Sequence, residues 1–333
     1  MTKKSDLASE YDHILNIDKN CFDEACKFSE GYKTFMNSSK TERECVNTVI
    51  DIVKSKGYKE FDKNVSDLKA GEKYFINNRG KAVVLITIGK EKLDKGVNFV
   101  ISHIDSPRLD LKPNPMYESE GISYFKTHYY GGIRKYQWPT VPLSMHGRIF
   151  KTDGSYVDIC LGEKDDEPKF IITDLLPHLA DEQNKRTLRE GIKGEELNIV
   201  IGSIPIIDED TEIKDLIKEN TLRILNKMYG IKEKDFARAE IEFVPANLAS
   251  DIGFDKSLVA AYGQDDKVCA YPSLMAEVEN VNPVRTSIAV FTDKEEIGSE
   301  GNTGMVSEYL FDIMEDLADI AKVKARDIYR NSI

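Results

Sequence analysis

Apolar residues recur along the chain with two different spacings, and each spacing predicts a different kind of element. Repeats of three and four residues predict helices at about 42–56, 213–228, 268–278 and 307–321. Apolar runs predict strands at 82–88, 97–102, 239–244 and 287–291. The continuous runs among them are typical of strands that helices cover on both faces. The first helix should begin with a capping box formed by Thr41 and Glu44.

The pattern changes in the middle of the chain. Between 109 and 162 the sequence contains four prolines, the pair of Gly131 and Gly132, and short alternating runs such as 147–157. Short strands with frequent turns are typical of a small β domain. A mostly polar stretch at 181–196 predicts an exposed loop. We therefore predict an α/β fold whose helix-flanked sheet, from 1–108 and 245–333, is interrupted by an inserted β-rich domain at 109–244.

The composition narrows the possible partners and the compartment. The chain has 58 acidic and 46 basic residues, a formal net charge of -12, which opposes binding to nucleic acid or to an anionic membrane. No run approaches the roughly 20 apolar residues of a membrane-spanning helix, and residues 1–11 lack the apolar core of a signal peptide. The five cysteines include no C-x-x-C pair, so a reducing cytoplasm is the expected compartment.

Short groups of polar residues follow the predicted strands, where open α/β sheets place their functional sites. In the first group, His103 precedes Asp105 by two residues, a spacing in which the carboxylate can orient a metal-binding imidazole. In the second, Asp265 and Asp266 open a helix, either as simple caps or as a carboxylate that bridges two metals. Taken alone, either pattern has an ordinary alternative: a surface histidine for the first, a capped helix for the second.

The third group is the most specific. Glu295 and Glu296 are adjacent directly after an apolar strand, where like charges crowd at the mouth of a buried sheet. Metal chemistry accounts for the pair, because one glutamate can bind a metal while its neighbour takes a proton from an activated water. A His-x-Asp, an Asp-rich helix start and a Glu-Glu pair, in this order, indicate a metallopeptidase.

With these motifs the sequence resembles the aspartyl aminopeptidases, which are cytosolic two-zinc exopeptidases built on a helix-flanked sheet. The resemblance runs from about residue 32 to the last residue, and it rests on S-H-I-D-S-P-R-L, Y-Y-G-G-I, D-L-L-P-H-L, G-Q-D-D-K-V-C-A-Y and D-K-E-E-I-G-S. It implies removal of an N-terminal, usually acidic, residue from peptide substrates by a two-zinc centre, with cobalt or manganese as substitutes. It also implies that 109–244 forms dimer contacts within a larger homo-oligomer.

The resemblance assigns a role to each matching residue of the centre. It implies that His103 binds one zinc, Glu296 binds the other, and Asp265 bridges the two. It implies that Glu295 is the general base and that Asp105 orients His103 without contacting the metal itself.

Two further positions receive weaker roles. Asp266 is expected to be a support residue beside Asp265. His178 matches a histidine that reaches into a neighbouring subunit's active site, where it binds substrate or stabilises the oxyanion. A packed or solvated side chain is the alternative for His178.

The family completes its centre with two later ligands, an Asp and a near-terminal His, and neither follows Ser332 here. We therefore expect each metal to be one ligand short of the usual three, and apolar surface to lie exposed where further elements would cover the sheet. Two other functions stay open: a catalytically inactive homologue that acts only in assembly or binding, and a related two-zinc amidase or deacetylase.

Overall fold

The computed structural model describes residues 18–207 and 212–333; the polar segment at 1–11 lies outside them. The helices are α1 (Lys19–Ser38), α2 (Glu42–Ser55), α3 (Asp181–Asn184), α4 (Leu216–Tyr229), α5 (Gln264–Val268), α6 (Ala270–Glu279), α7 (Tyr309–Ala321) and α8 (Ala325–Asn331). The strands are β1 (Lys59–Glu60), β2 (Lys73–Asn78), β3 (Ala82–Thr87), β4 (Asn98–His103), β5 (Arg108–Ser119), β6 (Ile122–Tyr130), β7 (Leu143–Phe150), β8 (Tyr156–Leu161), β9 (Ile199–Gly202), β10 (Ala239–Pro245), β11 (Ser250–Ile252), β12 (Leu258–Ala260) and β13 (Ser287–Thr292).

Sheet A is a mixed five-stranded sheet with the order β1-β2-β3-β13-β4. Residues of α1, α2 and α6 pack on one face, where Val46, Val49 and Leu274 meet Leu85. Residues of α7 and α8 pack on the other face. Because helices cover both faces, every residue of β3 and β13 is buried, and the predicted α/β sheet flanked by helices is confirmed.

Sheet B has the order β8-β7-β10-β5-β6-β9, and all of its pairs are antiparallel. Its strands all lie between Arg108 and Pro245. Its core contains Phe125, Phe236 and Phe243. The chain leaves sheet A at the end of β4, forms sheet B, and returns through β10 before α5 begins.

Helix α2 begins as predicted, with the capping box of Thr41 and Glu44. The expectation that helices cover the run at 97–102 on both faces is wrong. Strand β4 pairs only with β13 in sheet A, so it is an edge strand, and Val100 and Ile101 are each 44% exposed. The backbone of Ile333 hydrogen-bonds to Val97 and Phe99 along its outer side.

The predicted loop at 181–196 is largely exposed, but it contains α3 and a short 3-10 turn at Gly194–Glu196. It also places Ile192 in the core of sheet B. Nothing in the described helices has both the length and the apolar character needed to cross a membrane.

Candidate metal centre

Two neighbouring strands of sheet A end side by side and bring the first and third polar groups together. Strands β4 and β13 run parallel, with Thr292 opposite His103. The residues that follow each strand therefore leave the sheet at the same edge. Glu295 comes three residues after Thr292, in a 3-10 turn at Glu295–Ile297.

The buried carboxylate of Asp105 contacts the polar residues that follow β4 and those that follow β13. Its Oδ1 accepts the backbone N–H of Glu295 at 3.1 Å, and its Oδ2 accepts that of Glu296 at 3.2 Å. The Tyr130 hydroxyl donates to Oδ2 at 2.7 Å. Burial opposes ionisation, but hydrogen bonds from His103, Tyr130 and the two amides lower the pKa of Asp105. A carboxylate so bonded fixes the turn relative to the end of β4.

His103 lies between two carboxylates and presents one nitrogen to each. Its Nδ1 is 3.5 Å from Oδ1 of Asp105, and its Nε2 is 4.0 Å from Oε2 of Glu295. The hydrogen bond with Asp105 is the main cause that raises the pKa of His103 to about 9. With Nδ1 directed at Asp105, Nε2 is the nitrogen that a metal ion would use.

The carboxyl group of Glu296 lies against the loop after β6. Gly132 donates its N–H to Oε2 of Glu296 at 3.4 Å, and a Cβ on Gly131 would come within 2.7 Å of the same oxygen. Burial is the largest cause that raises the pKa of Glu296 to about 7, and Asp266 and Asp105 add to it. Glycine at 131 therefore leaves the room that the Glu296 side chain occupies.

The turn that carries the two glutamates has a strained backbone. Lys294 has φ 70° and Ser299 has φ 61°, both in the left-handed region that non-glycine residues seldom adopt. Such positions cost of order 1–3 kcal/mol each and are concentrated at functional sites. Here they direct Glu295 outward, with its side chain 54% exposed, while Glu296 points to Gly132.

The two aspartates at the start of α5 differ in their exposure to solvent. Asp265 is exposed, whereas Asp266 is buried, and the carboxylate of Asp266 contributes to the raised pKa of Glu296. Among the described residues, Oδ1 of Asp266 has no hydrogen-bond partner. The bridging role of Asp265 and the support role of Asp266 stay predictions. His178 is exposed, in a short turn at Pro177–Leu179.

The residues at this edge have the donors that a divalent cation binds. They offer one imidazole nitrogen and several carboxylates, and zinc accepts both kinds of ligand. Two features indicate carboxylates without a neutralising cation. A buried oxygen of Asp266 has no hydrogen-bond partner among the described residues, and burial raises the pKa of Glu296. In the described structure His103, Asp265 and Glu296 do not bring three donor atoms within 4.8 Å of one another.

Three residues of the candidate site received no role from the sequence. The Tyr130 hydroxyl donates to Asp105 from 25 positions away, the Gly132 N–H donates to Glu296, and Gly131 leaves room for the Glu296 side chain. All three belong to the Y-Y-G-G-I motif. A glycine pair directly after a strand is the signal that marks a close backbone approach.

Comparison with known proteins identifies the family. The family model described as "Aminopeptidase I zinc metalloprotease (M18)" matches residues 35–333. A probable M18 family aminopeptidase 1 from Clostridium acetobutylicum is 45% identical over 98% of the chain and 72% of its own length. A protein of the same description from Borrelia garinii is 44% identical over 91% of the chain and 65% of its own length. The chain thus spans about two thirds to three quarters of these relatives.

A solved structure gives the same result for the fold. The M18 aminopeptidase from Thermotoga maritima superposes with a TM-score of 0.89 at 40% identity, over 96% of this chain and 69% of its own. Similar folds and identities well above 30% over most of the chain exclude a chance match of short motifs. The chain therefore belongs to the M18 family of zinc metalloproteases.

Proposed function

We propose that this chain supplies the His103, Asp265 and Glu296 ligands of a two-zinc aminopeptidase centre, with Glu295 as general base. The observation that carries the proposal is the position of Asp105. One buried carboxylate orients His103 and fixes the backbone of both Glu295 and Glu296. A structural ion pair does not require all three contacts, whereas a metal centre requires its ligands and its base in fixed relative positions.

Bound zinc would supply Lewis-acid activation of water and of the peptide carbonyl. The protein's own groups then divide the work. Glu296 and Nε2 of His103 would hold metal, and Asp105 would keep the imidazole in position through Nδ1. Glu295 reaches solvent and lies 4.0 Å from Nε2 of His103, so its carboxylate is placed to take a proton from water.

An acidic N-terminal residue is the substrate class that the neighbouring cavity favours. A cavity of about 460 Å³ is lined by Gly131 and Gly132, which contact Glu296, and by Arg134, Lys135 and Arg189. In the described part of the chain none of these three cations forms an ion pair. Cations beside the centre that no carboxylate neutralises would attract a substrate carboxylate.

We also propose that 109–244 is an inserted module that joins subunits of a homo-oligomer. Around the exposed His178, the side chains of Leu175, Leu176 and Leu179 are 54%, 60% and 62% exposed. Grouped exposed leucines favour a surface that another subunit covers. In such an assembly His178 would be carried on a contact segment, which fits its proposed role in a neighbouring active site.

The proposal is tested with purified protein, added zinc, and peptide amides that begin with Asp, Glu or Leu. We expect turnover that prefers the acidic residues, and a loss of about 10²–10⁴-fold in Glu295→Gln, because that is the usual contribution of a general base. Glu295→Gln should retain its zinc. Glu300→Gln, a neighbouring exposed glutamate, is the matched control and should keep full turnover. Folded protein that neither binds zinc nor turns over would favour the inactive assembly protein.

A parallel measurement decides between the two aspartates. Zinc affinity is compared in Asp265→Asn and Asp266→Asn. The proposal expects the larger loss in Asp265→Asn. A larger loss in Asp266→Asn would transfer the ligand role to the buried carboxylate that faces Glu296.

A further inference from the structure

A second group of metal-binding side chains lies where helix α2 meets sheet B. It consists of Glu44 from α2, His146 from β7 and Cys160 from β8, and one donor atom of each lies within 4.8 Å of the others. His146 and Cys160 are directly opposite each other in the antiparallel pair of β7 and β8. No residue is shared with the candidate centre at the end of sheet A.

The two ring nitrogens of His146 have different partners. Nδ1 is 2.7 Å from Oε1 of Glu44, whereas Nε2 is 3.0 Å from Oε1 of Glu163 and 2.9 Å from the Ser144 hydroxyl. A metal-binding histidine typically uses one nitrogen for the metal and donates the other N–H to a carboxylate. In this arrangement Glu163 would orient the ring while Nδ1 points to the group formed with Glu44.

Glu163 and Glu44 differ in whether a lysine neutralises their charge. Glu163 already has a cation, because the buried ammonium of Lys40 lies 2.9 Å from its Oε1. Among the described residues, His146 is the one ion-pair partner of Glu44. The other oxygen of Glu44 accepts the Thr41 N–H of the capping box at 3.2 Å. Oε1 of Glu44 is therefore the oxygen that would bind a metal, which would replace the hydrogen bond between Oε1 and Nδ1 of His146.

The group is closed on one side and open on the other. The His146 side chain is 2% exposed and that of Glu44 is 27% exposed, while Cys160 is exposed. A metal ion can thus enter past Cys160, and water can complete a tetrahedral shell from the same side.

We propose that Glu44, His146 and Cys160 form a second zinc site that connects helix α2 to sheet B. The donor set is one carboxylate oxygen, one imidazole nitrogen and one thiolate, each of which zinc binds at about 2.0–2.3 Å. The thiolate favours zinc or cobalt over magnesium and calcium, which take oxygen ligands. An imidazolium held between Glu44 and Glu163 would satisfy both nitrogens without any thiol, so Cys160 is the residue that separates the two arrangements.

Cobalt is the probe, because thiolate ligation gives Co²⁺ a near-ultraviolet charge-transfer band and ligation by His, Asp and Glu alone does not. The full chain, freed of metal, is titrated with Co²⁺. We expect the band to appear in the unaltered protein, to vanish in Cys160→Ser, and to persist in Cys26→Ser, which changes another exposed cysteine. Because no sulfur ligand is proposed in the catalytic centre, occupancy there does not affect the reading.

Two further variants guard against effects of misfolding. Glu44→Gln can keep the capping box, since Gln serves at that position, and should weaken cobalt binding at this site at least about tenfold. Glu163→Gln should weaken it about 10–100-fold, as changes in the partners of metal-binding histidines do. Absence of the band in the unaltered protein, or its survival in Cys160→Ser, would overturn the zinc site and leave His146 as an ion-pair residue.

Discussion

Two groups of carboxylates lie close to each other in this protein. One group forms ion pairs with lysine and arginine, and the other does not. The buried ion cluster, at the junction of α2 with sheet B, consists of Glu42, Lys81, Arg108, Asp110 and Glu242. Glu42 lies 2.9 Å from Lys81 and 3.3 Å from Arg108. At the candidate metal centre, no described Lys or Arg forms an ion pair with Asp105, Glu295 or Glu296.

Glu42 of the ion cluster and Glu296 of the candidate centre respond in opposite ways, although burial also raises the pKa of Glu242 within the cluster. Although burial opposes it, Arg108 and Lys81 lower the pKa of Glu42. Burial and neighbouring carboxylates raise the pKa of Glu296 to about 7. The charge of Glu42 is compensated by Lys81 and Arg108, whereas we propose that the charge of Glu296 is compensated by a bound metal ion. Arg108 also stacks on Tyr130, with 3.8 Å to the ring centroid, and so touches the residue that bonds Asp105.

The largest effect is expected from breaking the ion cluster. Arg108→Met removes the guanidinium that pairs with Glu42, Asp110 and Glu242 and leaves the buried carboxylate of Glu242 without its ion-pair partner. We expect the free energy of unfolding to fall by about 3–5 kcal/mol, measured by urea denaturation. Arg326→Met, at an exposed arginine, should change it by less than about 0.5 kcal/mol. Equal losses in the two variants would mean that Arg108 is not the centre of the cluster.

Local patterns predicted the elements with strong periodicity and missed those without it. Helix α2 was predicted to within a residue because a capping box and an apolar stripe agree. Helix α1 was not predicted, because only Phe35 and Met36, at its C-terminal end, are buried. The apolar run of β3 does not reveal direction, and its antiparallel pairing with β13 is set by the connections around it.

The candidate site shows the same limit. The paired glutamates were visible as adjacent like charges after a strand. The orientation of the aspartates was not, because neighbouring positions on a helix point about 100° apart, and the rotation of α5 depends on packing. Gly263 in the left-handed conformation and the buried Lys267, which donates to Ser106 at 2.5 Å, set that rotation. These contacts join residues far apart in sequence.

A smaller effect is expected from a change at the candidate metal centre, where Gly131 lies beside Glu296. Gly131 has φ +74° and leaves no room for a Cβ beside Glu296, whereas a Cβ on Gly132 would meet nothing within 4 Å. Gly131→Ala should cost about 1–2 kcal/mol of unfolding free energy and should also weaken zinc binding, because Glu296 must move. Gly132→Ala is the matched control and should change both by little. Equal effects on zinc affinity would show that the position of Glu296 does not depend on this contact.

The smallest effect concerns pH, and it tests directly whether Glu296 lacks a cation. Because the pKa of Glu296 is raised from 4.5 to about 7, the folded metal-free protein binds a proton there more tightly than the unfolded chain does. Its contribution to stability is therefore full below about pH 4.5 and is lost as the pH rises through 7. The Glu296 side chain is partly solvent-accessible, which screens its charge, so we expect less than about 1 kcal/mol. The difference in unfolding free energy between the unaltered protein and Glu296→Gln, followed from pH 5 to 8, isolates this term. Saturating zinc should abolish the pH dependence, since a bound cation supplies the charge that the proton otherwise provides. If the difference in unfolding free energy does not change with pH in the metal-free protein, the charge of Glu296 is already compensated within the protein.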